Sequence, residues 1–264
     1  MSVETGQVQI DAIPVIGIER DMAYKLATRR VVTAGVDAIA VRLGSEDMQL
    51  PSTLVEKVSR LVSEVGASEL PLHVFMDFRS IENVDSDAVQ MRFIRALAEV
   101  RKMKPLRIVF CASAFISDMG KVKKGVLKSV PRRDFLVWEL LAKNHSDIDY
   151  ADYGVIHPGY FDFDPKTVKP AAKIRYATDK SWLIVKGNRW VSDTSQHRNL
   201  SKLLSNSEQF RRGDCWGGEN IVSAAQGGHA FKRLEDWVTI DQNTHITHTV
   251  RQLARINAVS RVPA

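Results

Sequence analysis

A chain of 264 residues with 44% hydrophobic and 26% charged content has the make-up of an ordinary globular protein of one large domain. No stretch approaches 18 uninterrupted apolar residues, and MSVETGQVQI has neither a basic nor an apolar leader region, so no membrane helix and no secretory leader are expected and the cytoplasm is the expected location. The two cysteines, Cys111 and Cys215, are too few for a disulfide framework, and a formal net charge of +6 favours anionic partners.

In chain order, the first ten residues read as a flexible N-terminus. The apolar run Ile13–Ile18 predicts a strand, followed by a helix over Asp21–Thr33 that ends at Gly35. Ala38–Leu43 is the next strand. Pro51 opens a helix to about Val65, with Leu54, Val58, Leu61, Val62 and Val65 on one face, and Gly66 stops it. A strand at Leu72–Phe78, a helix at Asp85–Lys102, a strand at Leu106–Ala112 and a helix at Arg132–Lys143 follow. Tyr150–Ile156 is a fifth strand, and Lys173–Ala177 with Trp182–Lys186 read as a hairpin. From about residue 188 the pattern turns helical, with segments at Asn199–Leu204, Glu219–Gln226 and Thr249–Asn257 around the Gly-rich turn RRGDCWGGEN.

Strand–helix alternation at this spacing predicts βαβ units and a largely parallel sheet. No GxGxxG or GxxxxGK[ST] follows an early strand, which turns the expectation away from a nucleotide-binding doubly wound sheet. The fold class expected is α/β: an incomplete TIM-like (β/α) barrel with a strand hairpin and a C-terminal helical segment, forming one domain over residues 1–264. Five parallel strands and a hairpin fall short of the eight that close such a barrel.

Functional groups of barrels gather at the C-terminal ends of strands. That rule selects Arg42, Asp77, Asp152, Tyr153, His157, Arg175, Tyr176 and Lys186, with Asp214 in the Gly-rich turn. Each also has a plainer reading: Arg42 and Asp77 as a structural ion pair, His157 as a loop histidine before Pro158, Tyr153 and Tyr176 as core residues with a polar tip. Lys121, Lys123, Lys124, Lys128, Arg132 and Arg133 crowd the segment after the fourth strand and form either an anion-binding element or a solvated basic loop. Asp77, Asp152 and Asp214 are the carboxylates that a divalent cation could use, although no spacing rule enforces it, and His245 with His248 lacks a third ligand for zinc. No metal site and no cofactor are assigned on these grounds.

The blocks PVIGI, AVRL, FMDF, RIVFCASAF, PRRDFLVWELL, YADYGVIHP, KIRYATDKSWLIVKG, Gly213-Asp214 and WVTIDQNTHITHTVRQLA resemble, in order from Ile13 to Leu253, the beta-protein family of phage T4 type. The resemblance implies a phage–host conflict context and carries no reaction. Members of that family have a further N-terminal segment with added strands and a Gly-Glu motif, so the chain reads as a shortened member. The family's Asn-His-His reads Asn243-Thr244-His245 here.

The leading functional expectation is a binding protein whose strand C-terminal face engages an anionic ligand, nucleic acid or an acidic protein surface. The alternative is a metal-assisted hydrolase or nuclease at the same face using Asp77, Asp152 and Asp214; a subunit with a docking face only is the third. The short strand count implies a homodimer or a completing partner chain, with the sheet ending at Ile13–Ile18.

Overall fold

In a computed structural model of the protein, the structure describes residues 2–5, 8–159, 170–190, 193, 195–228, 231 and 233–260, with side chains excepted for 2–5, 8–11 and 259–260. The chain, read from its sequence as one domain, packs as two compact units: Met1–Ala112 with Asp134–Asp152, and Ser113–Arg133 with Tyr153–Ala264.

The first unit opens with β1 (Ser2–Thr5) and β2 (Val8–Asp11), an antiparallel pair with Val3 opposite Ile10 where the sequence reading had a flexible terminus. The strands β3 (Val15–Gly17), β4 (Ile39–Gly44), β5 (Leu72–Ser80) and β6 (Arg107–Ser113) follow in spatial order. The chain then forms β7 (Lys128–Pro131), which belongs to the second unit, and returns as β8 (Ile148–Ala151) beside β6. The five-stranded sheet β3-β4-β5-β6-β8 is parallel at its described pairings, with Gly17 opposite Arg42 and Gly44 opposite Asp77. Its edges are β3, where the sheet was expected to end, and β8; a barrel closure is not among the described pairings.

The crossover helices explain the alternation. Helix α1 (Met22–Thr33) is capped by Asp21, whose carboxylate accepts from the Tyr24 amide at 2.8 Å. Helix α2 (Leu54–Glu64) follows a 3₁₀ turn that starts at Pro51, and buries Leu54, Val58, Leu61 and Val62. Helix α3 (Ser86–Lys102), capped by Asp85, buries Val89, Phe93, Ala96, Leu97 and Val100. Phe93 meets Phe110 of β6 edge-on at 5.5 Å, and Phe78 of β5 packs beside both. Helix α4 (Arg133–Asn144) buries Phe135 and Trp138, which pack on Tyr150 of β8; the Trp138 indole donates to the Ile148 carbonyl. Ile39, Ala40, Val41 and Leu43 are buried in succession, as expected of a parallel strand covered on both faces.

The second unit holds an antiparallel sheet of order β7-β10-β9, with β9 (Ala171–Ala177) and β10 (Ser181–Arg189) forming the expected hairpin. Thr178 closes the turn: its amide and hydroxyl donate to the Ser181 carbonyl at 2.8 and 2.9 Å. Helices α5 (His197–Ser205), α6 (Trp216–Gln226) and α7 (Leu234–Ser260) pack a core of Ile174, Tyr176, Leu183, Val185, Leu200, Leu204, Ile221, Trp237 and Ile240. Helix α7 has 27 residues, far beyond the Thr249–Asn257 stretch expected from sequence.

Candidate functional site

The C-terminal ends of β3, β4 and β5 build a polar cavity in the first unit. Asp77, near the end of β5, is 1% exposed. Its Oδ2 accepts from Nε of Arg42 and lies against Nη2 of the same guanidinium, and its Oδ1 accepts from the Arg79 amide at 2.8 Å. A buried carboxylate with this many donors fixes them in place. Arg79 has φ +53°, in the left-handed region that a non-glycine residue occupies only when its surroundings hold it there. The Asp77 carboxylate is what holds it, and the Arg79 side chain is consequently carried out into solvent. The expected Arg42–Asp77 ion pair is therefore present and does more than neutralise a buried charge.

In front of this pair lies a cavity of about 220 Å³ lined by Glu19, Arg42, Gly44, Ser45, Glu46, Asp47 and Arg79. Asp47 accepts from the Gly44 amide at 2.8 Å. Burial pushes its carboxyl up, the Gly44 amide opposes this, and the charges of Glu19 and Glu46 add to the rise. Glu19 itself pairs with Arg20 at 3.5 Å. The cavity is thus amphoteric: guanidinium groups on the β4 and β5 side, carboxylates on the β3 side and in the loop after β4. A larger groove of about 760 Å³ opens at the N-terminal ends of β5 and β6, between Val55, Val58, Val62, Leu70, Met103 and Leu106. It is larger, but its polar groups (Glu69, Lys102, Lys104) do not converge on any buried anchor, and convergent polar groups mark a site better than volume does.

Further along the same sheet, Cys111 of β6 is held as a thiol. Burial, then the Asp77 charge, pushes its ionisation far above the usual range, which removes it as a nucleophile. The Tyr150 hydroxyl lies 2.6 Å from Asp134 and 2.9 Å from Asp152, one proton shared between two carboxylates. Strand β8 ends at Ala151, so Asp152 and Tyr153, expected inside the strand, follow it in a turn where Gly154 has φ +66°.

Tyr153, His157, Arg175, Tyr176, Lys186 and Asp214 belong to the second unit. His157 accepts from the Gly159 amide through Nδ1 at 3.0 Å, a local loop contact. Arg175 is 4% exposed and donates through Nε to Asp241 at 2.7 Å and through Nη1 to the Val155 carbonyl at 2.9 Å. Its partner Asp241, on α7, is fully buried; burial pushes that carboxyl up to about 6 against the pull of Arg175. Tyr176 is buried against Phe210, and its oxygen accepts from the Arg211 amide at 3.1 Å. These two are core groups of the hairpin. Asp214 is paired with Arg251 of α7.

The basic segment divides. Lys128 and Lys186 donate to the carbonyls of Lys121 and Met119, tying the segment to β10, and Lys124 bridges Lys186. Arg132 is removed from the surface group: it is fully buried, donating to the Thr178 carbonyl at 2.9 Å, Gln252 at 3.2 Å and Thr249 at 3.1 Å. Lys121, Lys123 and Lys124 are exposed, and Arg133 is half-buried. His245 stacks on Trp182 at 4.8 Å, and His248 lies between Arg211 and Asp179. Among the described residues no three His, Cys, Asp or Glu side chains group as a metal site.

Sequence reading missed Glu19, Glu46, Asp47, Asp241 and Arg211. The first three sit just past strand ends, where the same rule that chose Arg42 would have found them. Asp241 had a helical signal, since positions 241, 245, 248 and 252 share one face of a helix.

An α/β protein with a parallel sheet, a polar cavity at its strand C-terminal ends and a second antiparallel unit is the class that fold and site define. Within that class, the chain belongs to the Beta protein family, whose sequence profile matches residues 3–251. That match takes in residues ahead of Ile13, where the resemblance in the sequence begins. No curated protein matches the chain, and no solved structure does. Among the described residues no helix is long and apolar enough to cross a membrane.

Proposed function

We propose that the protein is a binding protein that takes a small ligand bearing a carboxylate or phosphate group at the C-terminal end of its five-stranded sheet. The observation that carries this is Asp77, buried and fixing both the Arg42 guanidinium and the Arg79 backbone at the mouth of the cavity. The Arg42 guanidinium, preset in this way, recognises planar or tetrahedral oxyanions at a reduced ordering cost, and the Arg79 side chain stands beside it. Glu19, Glu46 and Asp47 in the same wall disfavour a polyanion here and favour a small ligand that also offers a donor or a cation. The scaffold is read as the barrel-like one expected from strand–helix alternation, whose ligand end is the C-terminal end of the strands. A phage–host conflict context, implied by the resemblance, belongs to the same proposal.

The test is a thermal-shift and calorimetric panel of small carboxylates, inorganic phosphate and nucleotides. A compound that binds the native chain should lose its effect in Arg79→Ala, whose exposed side chain supports no packing. Equal binding by Arg79→Ala to every positive compound would refute the site. Labelled DNA and RNA incubated with and without Mg²⁺ should show no turnover; turnover lost in Asp77→Asn would install the hydrolase in its place.

The partner in this proposal is a second copy of the chain. Strand β3 is a sheet edge, and Ile13, Val15, Met22 and Leu26 are exposed around it. Glu19 and Asp21 lie at one end of α1 and Arg29 and Arg30 at the other, so two copies approaching antiparallel would bring opposite charges together. Sedimentation equilibrium at micromolar concentration should show dimers that Val15→Lys dissociates; a monomer throughout would refute this.

A further inference from the structure

The hairpin turn of the second unit holds an arrangement that none of the foregoing uses. Asp179, between β9 and β10, has a side chain 59% exposed. Three cationic or donor groups converge on one of its oxygens, Oδ1: Nε2 of His248 at 3.2 Å, Nη2 of Arg255 at 3.2 Å and Nη2 of Arg211 at 3.9 Å. His248 and Arg255 come from α7, two turns apart on one face, and Arg211 from the segment after α5.

The donors are built and the acceptor is not. The His248 side chain is 4% exposed, and burial, then the neighbouring Arg211 and Arg132 charges, pushes its imidazole down to about 4, so it is neutral near pH 7. The Arg211 guanidinium lies along the imidazole, with Nη1 against Nδ1 and Nη2 3.2 Å from Nε2, and the Nε2 edge of the ring faces Asp179. Arg251, one turn before Arg255 on the same face, pairs with Asp214, and exposed Lys180 adjoins Asp179. Five N–H groups per guanidinium exceed what one carboxylate oxygen accepts.

The main chain of the turn, by contrast, is pinned separately. Gln252, 6% exposed, donates to the Asp179 carbonyl at 2.9 Å. The Asp179 side chain can therefore swing out while the turn stays in place. Exposed ion pairs of this kind add little to stability, so the swing is cheap.

We propose that His248, Arg211 and Arg255 form a phosphoryl-binding site in which the Asp179 carboxylate holds the place of the ligand. A phosphoryl group brings three oxygens to donors that Asp179 serves with one. It displaces Asp179 into solvent, and Asp179 in turn lowers affinity for any anion that binds weakly. The same chemistry is offered by free phosphate and by the backbone of a nucleotide chain.

The test uses the full chain and two probes: inorganic phosphate by calorimetry, and a fluorescent single-stranded oligonucleotide by anisotropy. Asp179→Asn keeps the shape and removes the competing charge, and should tighten binding of at least one probe by about tenfold. Arg255→Ala, whose side chain is mostly exposed, should abolish that gain when added to Asp179→Asn. Tightening for phosphate assigns a free anion; tightening for the oligonucleotide alone, with a salt slope that falls by about one in Arg255→Ala, assigns a nucleotide chain. All of these comparisons are made in chains that also carry Arg79→Ala, which removes the cavity of the first unit from the reading, so that only binding at Asp179 is measured. Unaltered affinity of both probes in Asp179→Asn, with its melting temperature intact, overturns the proposal, as does a gain that survives Arg255→Ala.

Discussion

Replacing His197 by Phe tests how a buried imidazole ties the stability of the second unit to pH. His197 begins α5, is 3% exposed and stacks face to face on Trp237 at 4.0 Å, with Trp190 edge-on at 5.0 Å. Among the described residues neither ring nitrogen makes a hydrogen bond of good geometry. Burial pushes the imidazole from its ordinary 6.5 down to about 4, with the backbone of Lys173 opposing slightly. The folded ring therefore stays neutral where the unfolded ring is already protonated. Stability from this group is complete above pH 6.5 and is lost as pH falls toward 4. At about 1.36 kcal/mol per pKa unit the full loss is about 3 kcal/mol, and about 2 kcal/mol is already gone at pH 5. His197→Phe keeps the stack and removes two poorly bonded buried nitrogens, so at pH 7 it should be as stable as the native chain or about 1 kcal/mol more so. Urea melts of both proteins at pH 7 and pH 5 measure the difference. His248 is pushed down to about 4 as well and titrates in both proteins, so the contrast between them isolates His197. Parallel losses in the two proteins would refute the reasoning.

Other substitutions probe the packing. Gly217→Ala places a Cβ about 2.6 Å from the Ile240 carbonyl oxygen, a backbone atom that cannot rotate away, so α6 and α7 must separate. A loss of about 1–3 kcal/mol in a denaturant melt is expected, and an unchanged midpoint would show that the two helices yield. Arg132→Met removes the donor to Thr178, Gln252 and Thr249 from a fully buried position and should cost about 3 kcal/mol in the same assay, whereas a solvated lysine such as Lys123→Met should change it by less than about 0.5 kcal/mol. Asp77→Ala strands the Arg42 guanidinium and frees the Arg79 amide, with an expected loss of about 3 kcal/mol and of small-anion binding together; loss of neither would contradict the role given to Asp77.

Helix and strand periodicity made the first unit legible, because its helices bury one apolar face and its strands are apolar runs. The strand β7 was not legible. Lys128-Ser-Val-Pro131 offers one apolar side chain, and charge with proline is what an edge strand carries. Most of α7 was hidden for a related reason. Its buried face carries Asp241, Thr244, His245, His248, Thr249 and Gln252, which pack by hydrogen bonds, so hydropathy shows no 3.6-residue rhythm there. The candidate site was half legible: Arg42 and Asp77 are a real pair, while Arg175 and Tyr176 proved to be core groups. Charge density between Tyr150 and Lys186 recorded a buried network as readily as a surface, since a sequence does not tell a partnered arginine from an exposed one.

The division of the chain bears on how the protein is made. Residues 113–133 leave the first unit after its fourth sheet strand and supply β7 to the second, before α4 and β8 return to complete the first. Neither unit is a continuous stretch, so no single cut yields either one whole. As the chain is synthesised, β7 must wait some fifty residues for β10, its hydrogen-bonding neighbour at Ser181–Ile184. In that interval the first unit can close its sheet with β8, giving a natural order of assembly in which the parallel sheet precedes the hairpin sheet. Circular permutants that open the chain between Pro131 and Arg133 would place β7 after β10, and their refolding rates would report how strongly the second unit relies on the order of its strands.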